Sequence, residues 1–193
     1  QYIEWTHPHQ KADSRGNRSF FTIASSPTED EIKLGVRVNK ESSSFKNALL
    51  QMQSGSNTFA AHVAGDFILD ESSPSVFIAG GIGVTPFRSI IKYLSDTNKQ
   101  QKVDLFYFVR KPEDFVYKDI FDLASQKIGI HVHYIVSDSN TNIEKLIKDH
   151  VKDYSRAKYY ISGPSAMVDS YKKILKLMKI DRNKIVTDYF PGY

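Results

Sequence analysis

The spacing of apolar positions divides the chain in two. Early on the period is two. Tyr2 and Glu4 alternate with Ile3 and Trp5, and Ile32, Leu34, Val36 and Val38 alternate with Lys33, Gly35 and Arg37. This is the pattern of strands with one buried face. Residues 19–24 and 58–63 are further strands by the same reading. A single short helix interrupts them: Phe45, Ala48, Leu49 and Met52 share one face, after a start at Ser42, Ser43 and Ser44. Residues 27–30 and 65–67 read as turns. After Glu71-Ser72-Ser73-Pro74-Ser75 the pattern changes to strict alternation of apolar runs with helical stripes. Strands are expected at 76–79, 103–109, 130–136, 159–162 and 184–187, and helices at 85–95, 114–125, 142–151 and 165–178. The stripes are Phe87, Ile90, Ile91, Leu94; Val116, Ile120, Leu123, Ala124; Ile143, Leu146, Ile147, Val151; and Met167, Tyr171, Ile174, Leu175, Met178. Thr141 and Glu144 have the spacing of a capping box. Alternating β and α elements with apolar strands predict a doubly wound parallel sheet.

The most informative stretch is residues 76–87. An apolar run ends in Gly80, Gly81 and Gly83, continues through Val84, Thr85 and Pro86, and enters a helix. Pro86 suits a first helical turn, where a missing N–H costs nothing. Glycines there let backbone approach a pyrophosphate, and the helix start offers free N–H groups. The spacing is not G-x-G-x-x-G, and no Gly-Lys-Ser/Thr follows. By itself such a turn is also how a strand meets a helix with no ligand. Ser162-Gly163-Pro164 repeats the arrangement, a strand end followed by a helix carrying Met167. The chain closes on Asp188-Tyr189-Phe190-Pro191-Gly192-Tyr193, an aromatic cluster unusual for a solvated end.

Composition narrows the classes. The 193 residues allow one large or two small domains, and an apolar fraction of 40% suffices for a packed core. The net charge of +4 favours anionic ligands or an acidic partner, and no lysine–arginine run points to nucleic acid. With no cysteine, disulfides and thiolate chemistry are excluded. The histidine pairs His7/His9 and His131/His133 have metal-compatible spacing without a carboxylate or thiol cluster, so no metal is expected. No apolar run approaches the roughly 20 residues of a membrane span.

These motifs, in this order, resemble the ferredoxin–NADP+ reductase family of flavoprotein modules, over nearly the whole sequence. Phe20-Phe21-Thr22-Ile23-Ala24-Ser25-Ser26-Pro27 resembles the family's flavin motif, with Arg18 close to the position of its arginine and Ser19 on it. Ser42-Ser43-Ser44-Phe45 resembles the segment that holds the flavin pyrophosphate, and Gly65-Asp66-Phe67 the end of the flavin barrel. Residues 79–86 resemble the nicotinamide-nucleotide loop, and Ser162 to Met167 the Cys-Gly-Pro-x-x-Met motif with serine for cysteine.

The resemblance implies a partial antiparallel flavin barrel over residues 1–72, and a five-stranded NAD(P)-binding α/β domain over 73–193. Two more barrel strands would precede Gln1. It implies FAD and NADP or NAD as cofactors. Thr22, Ser162 and Tyr193 are the expected catalytic residues. Arg18, Phe20, Phe21, Ile23, Ser43, Ser44, Gly80, Gly81, Gly83, Val84, Thr85, Pro86, Arg110, Gly163, Pro164, Met167 and Phe190 join them around the cofactors. Hydride would pass between NAD(P)H and FAD, and electrons on to an iron–sulfur protein, a haem or a membrane redox component. A cytoplasmic location is expected, with membrane association through an upstream region. Two alternatives are a redox-silent nucleotide-binding module and the reductase domain of a ferric-reductase-like membrane protein.

Overall fold

The computed structural model of the chain describes residues 1–39 and 41–190, without the side chains of Tyr189 and Phe190. Strands β1 (Tyr2–Thr6), β2 (Arg18–Thr22) and β3 (Phe59–Ala64) form an antiparallel sheet in the order β2-β1-β3. Helix α1 (Ser44–Leu50) precedes β3. In β1, Ile3 is buried against Phe21, its partner in β2, while Glu4 is also buried and Trp5 is only half-buried, so the expected alternation holds only in part. The sheet is open, and β3 is exposed along its length.

The second sheet is parallel throughout. Strands β4 (Ser75–Gly80), β5 (Val103–Val109), β6 (His131–Val136), β7 (Lys158–Pro164) and β8 (Ile185–Phe190) lie in the order β6-β5-β4-β7-β8. The connections are α2 (Thr85–Asp96), α3 (Lys118–Ile128), α4 (Ile143–His150) and α5 (Ser165–Leu177). Alternation along β4 sorts the core into two layers. Phe77 and Ala79 face Phe87, Ile91 and Leu94 of α2 and Phe121 and Ala124 of α3. Val76 and Ile78 face Ile143 and Ile147 of α4 and Val168 and Leu175 of α5. Each buried Val, Ile, Leu or Phe among them stabilises the fold by about 1.5–3 kcal/mol. The chain reverses its direction of winding between β4 and β7, and ligands of such sheets bind at the carboxyl ends of the strands beside that point.

Three expectations are corrected. Residues 32–38 are not a strand; Leu34 makes a lone bridge to Ile23. Ser25 Oγ accepts the Lys33 N–H at 3.0 Å, so a side chain takes a ladder position, and Gly35 packs against the second sheet's connections instead. The helix expected from 114 begins at Lys118, because residues 112–114 form a 3-10 turn and Tyr117 is left-handed at φ 61°. Its buried stripe is Phe121, Ala124 and Ile128, while Val116 and Leu123 are exposed. The cap of α4 is Asn142, whose side chain accepts from Lys145 N–H at 3.0 Å, and Thr141 is bonded to Asp138.

The segment between β3 and β4 is packed into the second sheet's core. Phe67, from the turn after β3, sits with its ring centre 5.6 Å from Phe87 and 5.5 Å from Tyr160. Among the described residues no helix is long and apolar enough to cross a membrane.

Candidate functional site

Gly80 ends β4, and Ser162, the register partner of Ala79, lies two residues before the end of the neighbouring β7; a helical turn follows each strand. The approach is too close for side chains. A methyl group on Gly83 would stand 2.6 Å from Gly163 Cα, and nearer still to the Ser162 carbonyl oxygen. One on Gly80 would stand 2.8 Å from Met167 Cε and 3.1 Å from Pro164 Cδ. Gly80, Gly83, Gly163, Pro164 and Met167 are therefore packed on one another, and the two turns form one floor.

Gly81 differs. It is left-handed at φ +53°, and a methyl group there would meet only Arg37 Nη1, at 3.8 Å. Gly81 opens on free space beneath a guanidinium. Residues 81–84 make a 3-10 turn that feeds α2, with Pro86 in its first turn as expected. A helix start and a nearby cation suit an anion. Val84 is buried, and the Thr85 hydroxyl donates to Ile82 O at 3.1 Å. Thr85 thus braces the turn, while its oxygen can still accept. Ser162 Oγ is buried without a hydrogen-bond partner among the described residues. Such an orphan carries a cost of about 1–3 kcal/mol unless a bound group satisfies it.

Arg37 was not singled out by sequence, because the period-two reading made it an ordinary outward strand residue. It is held 3.7 Å from Asp114, in the turn after β5. Arg110, also beyond β5, is exposed. Tyr117 follows, under the Arg88 guanidinium at 5.3 Å, and burial pushes its hydroxyl pKa up.

On the first sheet the expected residues separate. Phe21 and Thr22 are buried, and Phe21 stacks on Phe45 at 6.1 Å. Phe20 points to the opposite, exposed face and meets Tyr2 edge-on. Arg18 lies on that face too, paired with Glu4 at 3.3 Å, so it is not grouped with Phe21. Ile23 bonds back to Gln1 O. Ser43 caps α1 through the Lys46 N–H. The Ser44 N–H donates to Asp13 Oδ2 at 2.9 Å, and its hydroxyl bonds the Asp13 N–H and His9. Arg15 and then the Ser44 N–H hold the Asp13 carboxyl well below its usual range. A carboxylate thus stands where the flavin phosphate was expected, an anion in an anion's place. Tyr193 and the Phe190 side chain lie outside the described residues.

Among the described residues no group of three or more His, Asp or Glu side chains is placed to hold a metal. His131 and His133 both bond Asp104 instead.

Comparison with known proteins agrees with this architecture. Residues 77–173 match the oxidoreductase NAD-binding domain family. The reductase component of propane 2-monooxygenase from Rhodococcus jostii (strain RHA1) is 28% identical over 141 residues. The match covers 65% of this chain and 38% of that protein, so the chain spans well under half of this relative's length. The flavohem-like FAD/NAD binding domain of nitric oxide dioxygenase from Vibrio cholerae O1 biovar El Tor superposes with a TM-score of 0.81 at 18% identity, over 100% of this chain and 84% of that one. A cytochrome P450 reductase from Amycolatopsis does so at 0.80 and 22%, over 100% and 60%.

Proposed function

Since the chain belongs to the oxidoreductase NAD-binding domain family, we propose that it is the reducing module of a flavoprotein: it takes hydride from NAD(P)H onto FAD and sends electrons to a partner redox centre. The observation that carries this is Gly81, a left-handed glycine opening on free space beneath Arg37 at the sheet's switch point. In this reading residues 73–193 hold the nucleotide and residues 1–72 the flavin. N–H groups of residues 81–84 and the Arg37 guanidinium receive the pyrophosphate, and Arg110 receives the ribose end. Ser162, Gly163, Pro164 and Met167 floor the nicotinamide, where the orphan hydroxyl of Ser162 gains a partner. Thr22 and Phe21 border the flavin ring, and Ser43 and Ser44 face its phosphates once Asp13 yields the Ser44 N–H. The nucleotide supplies the hydride, and the flavin converts a two-electron donor into one-electron steps. The chain's own contribution is position: it fixes both ligands and excludes water between them.

The partner is a redox protein, as the names of the relatives suggest: one is the reductase component of an oxygenase, another a cytochrome P450 reductase. A second reading, a nucleotide-binding module without flavin, is favoured by Asp13 on Ser44 and by the burial of Phe21 against Phe45.

Arg37→Ala tests the nucleotide site. A charge-assisted hydrogen bond contributes about 1.5–3 kcal/mol, so the Kd for NAD(P)H is expected to rise roughly tenfold or more, with less dependence on salt. Titration of the reduced nucleotide's fluorescence reads it. An unchanged Kd would move the pyrophosphate away from Gly81.

A further inference from the structure

Hydride passage requires donor and acceptor atoms roughly 3–3.5 Å apart. Yet the glycine turn belongs to one sheet and β2 to the other. Polar contacts along one flank of α2 join them, and Arg88 is their hub. Its side chain is 5% exposed. Nη1 donates to Ala24 O at 2.8 Å and to Glu29 Oε2 at 2.5 Å, and Nη2 donates to Glu29 Oε1 at 2.9 Å. The Ser89 hydroxyl donates to Ser25 O at 2.7 Å. Two turns along, the Asp96 carboxylate accepts from the Thr28 hydroxyl. Glu29 is gripped on its own loop by the Ser26 N–H at 2.8 Å and by Lys33 at 2.9 Å. The leash to each site is short. Ala24 is two residues past Thr22, and Arg88 three past Thr85.

Adhesion alone does not account for this design. Replacing a buried ion pair by apolar groups is often neutral or stabilising. What a two-pronged guanidinium–carboxylate pair adds is a fixed distance and a fixed angle. The Tyr117 ring under the guanidinium extends the same constraint to the turn after β5. We infer that Arg88 is a positioning residue for hydride transfer: through Glu29 and Ala24 it sets the nucleotide turn against the end of β2. This rests on the reductase reading given above.

The test is Arg88→Met in the flavin-loaded chain, with hydrogen exchange, nucleotide titration and the rate of flavin reduction. Amides of residues 24–26, 28 and 29 are expected to exchange at least tenfold faster, while those of residues 75–80 are unchanged. The nucleotide Kd should move less than twofold and the reduction rate fall at least tenfold. The paired swap Arg88→Glu with Glu29→Arg should restore most of both. An unchanged reduction rate, or a Kd that rises in step with the lost rate, would overturn the positioning role. Should Arg88→Met fail to fold, Glu29→Gln, which keeps the shape and loses the charge, is read by the same exchange and rate. A wild-type chain whose flavin is never reduced sinks the reductase reading itself; a reducible wild type with an equally fast variant sinks only the role of Arg88.

Discussion

Gly83→Ala is expected to lower stability by about 3 kcal/mol, the upper part of the usual range for over-packing a close-packed site. In a chain of this size that is a fall in Tm of roughly 6–12 °C. The reason is that nothing around Gly83 can retreat. The added methyl group meets backbone, the Gly163 Cα at 2.6 Å and the Ser162 carbonyl, and not the tip of a flexible side chain. Relief requires β4 and β7 to part at the floor of the site, so nucleotide affinity should fall with stability. Gly81→Ala is the contrast. It has open space, pays only the left-handed backbone cost of roughly 1–2 kcal/mol, and should weaken nucleotide binding with much less unfolding. Thermal melts of both, paired with nucleotide titration, check the account. A Gly83→Ala chain as stable as wild type would mean that the two turns are not packed as described.

Phe67→Ala should cost about 3–5 kcal/mol, as for other buried phenylalanines, and lower Tm by roughly 10 °C. Phe67 is contributed by the first sheet's last turn but is buried in the second sheet's core, edge-on to both Phe87 and Tyr160. Phe87 in turn stacks on Phe77 of β4 at 4.7 Å. The cavity would therefore open directly behind the helix that carries the glycine turn. Phe67→Leu should recover much of the loss. Calorimetry measures both, and a loss below 1 kcal/mol for the alanine variant would show that the sheets do not depend on this contact.

Where the physics is local, the sequence was legible. The change of apolar period after residue 75 announced the parallel sheet, and β5 falls where its apolar run does. Pro86 marked the start of α2, and the stripe from Phe87 to Leu94 marked its buried face. The failures have tertiary causes. Residues 32–38 alternate like a strand, but Ser25 caps Lys33 and Gly35 is drawn under Thr85 and Tyr117. The left-handed Tyr117 delays α3 by several residues, and nothing in its neighbours signals that conformation. At the site, glycine spacing marked the two turns, but as an approach for a pyrophosphate; that Gly80, Gly83 and Gly163 pack on one another needs the fold. Arg37, Arg88 and Asp13 stayed hidden, since each acts on a group far along the chain: Gly81, Glu29 and Ser44. A lone charged residue in a periodic pattern reads as solvated surface until the fold shows what it faces.

The central claim is that this chain reduces a flavin with a nicotinamide nucleotide. The direct measurement is to incubate the chain with FAD under anaerobic conditions and to follow the flavin absorbance on adding NADPH or NADH. Rapid bleaching by either nucleotide, faster for the preferred one and lost in Gly83→Ala, is the predicted result. Nucleotide binding with no flavin uptake and no bleaching would contradict the claim and leave the flavin-free module in its place.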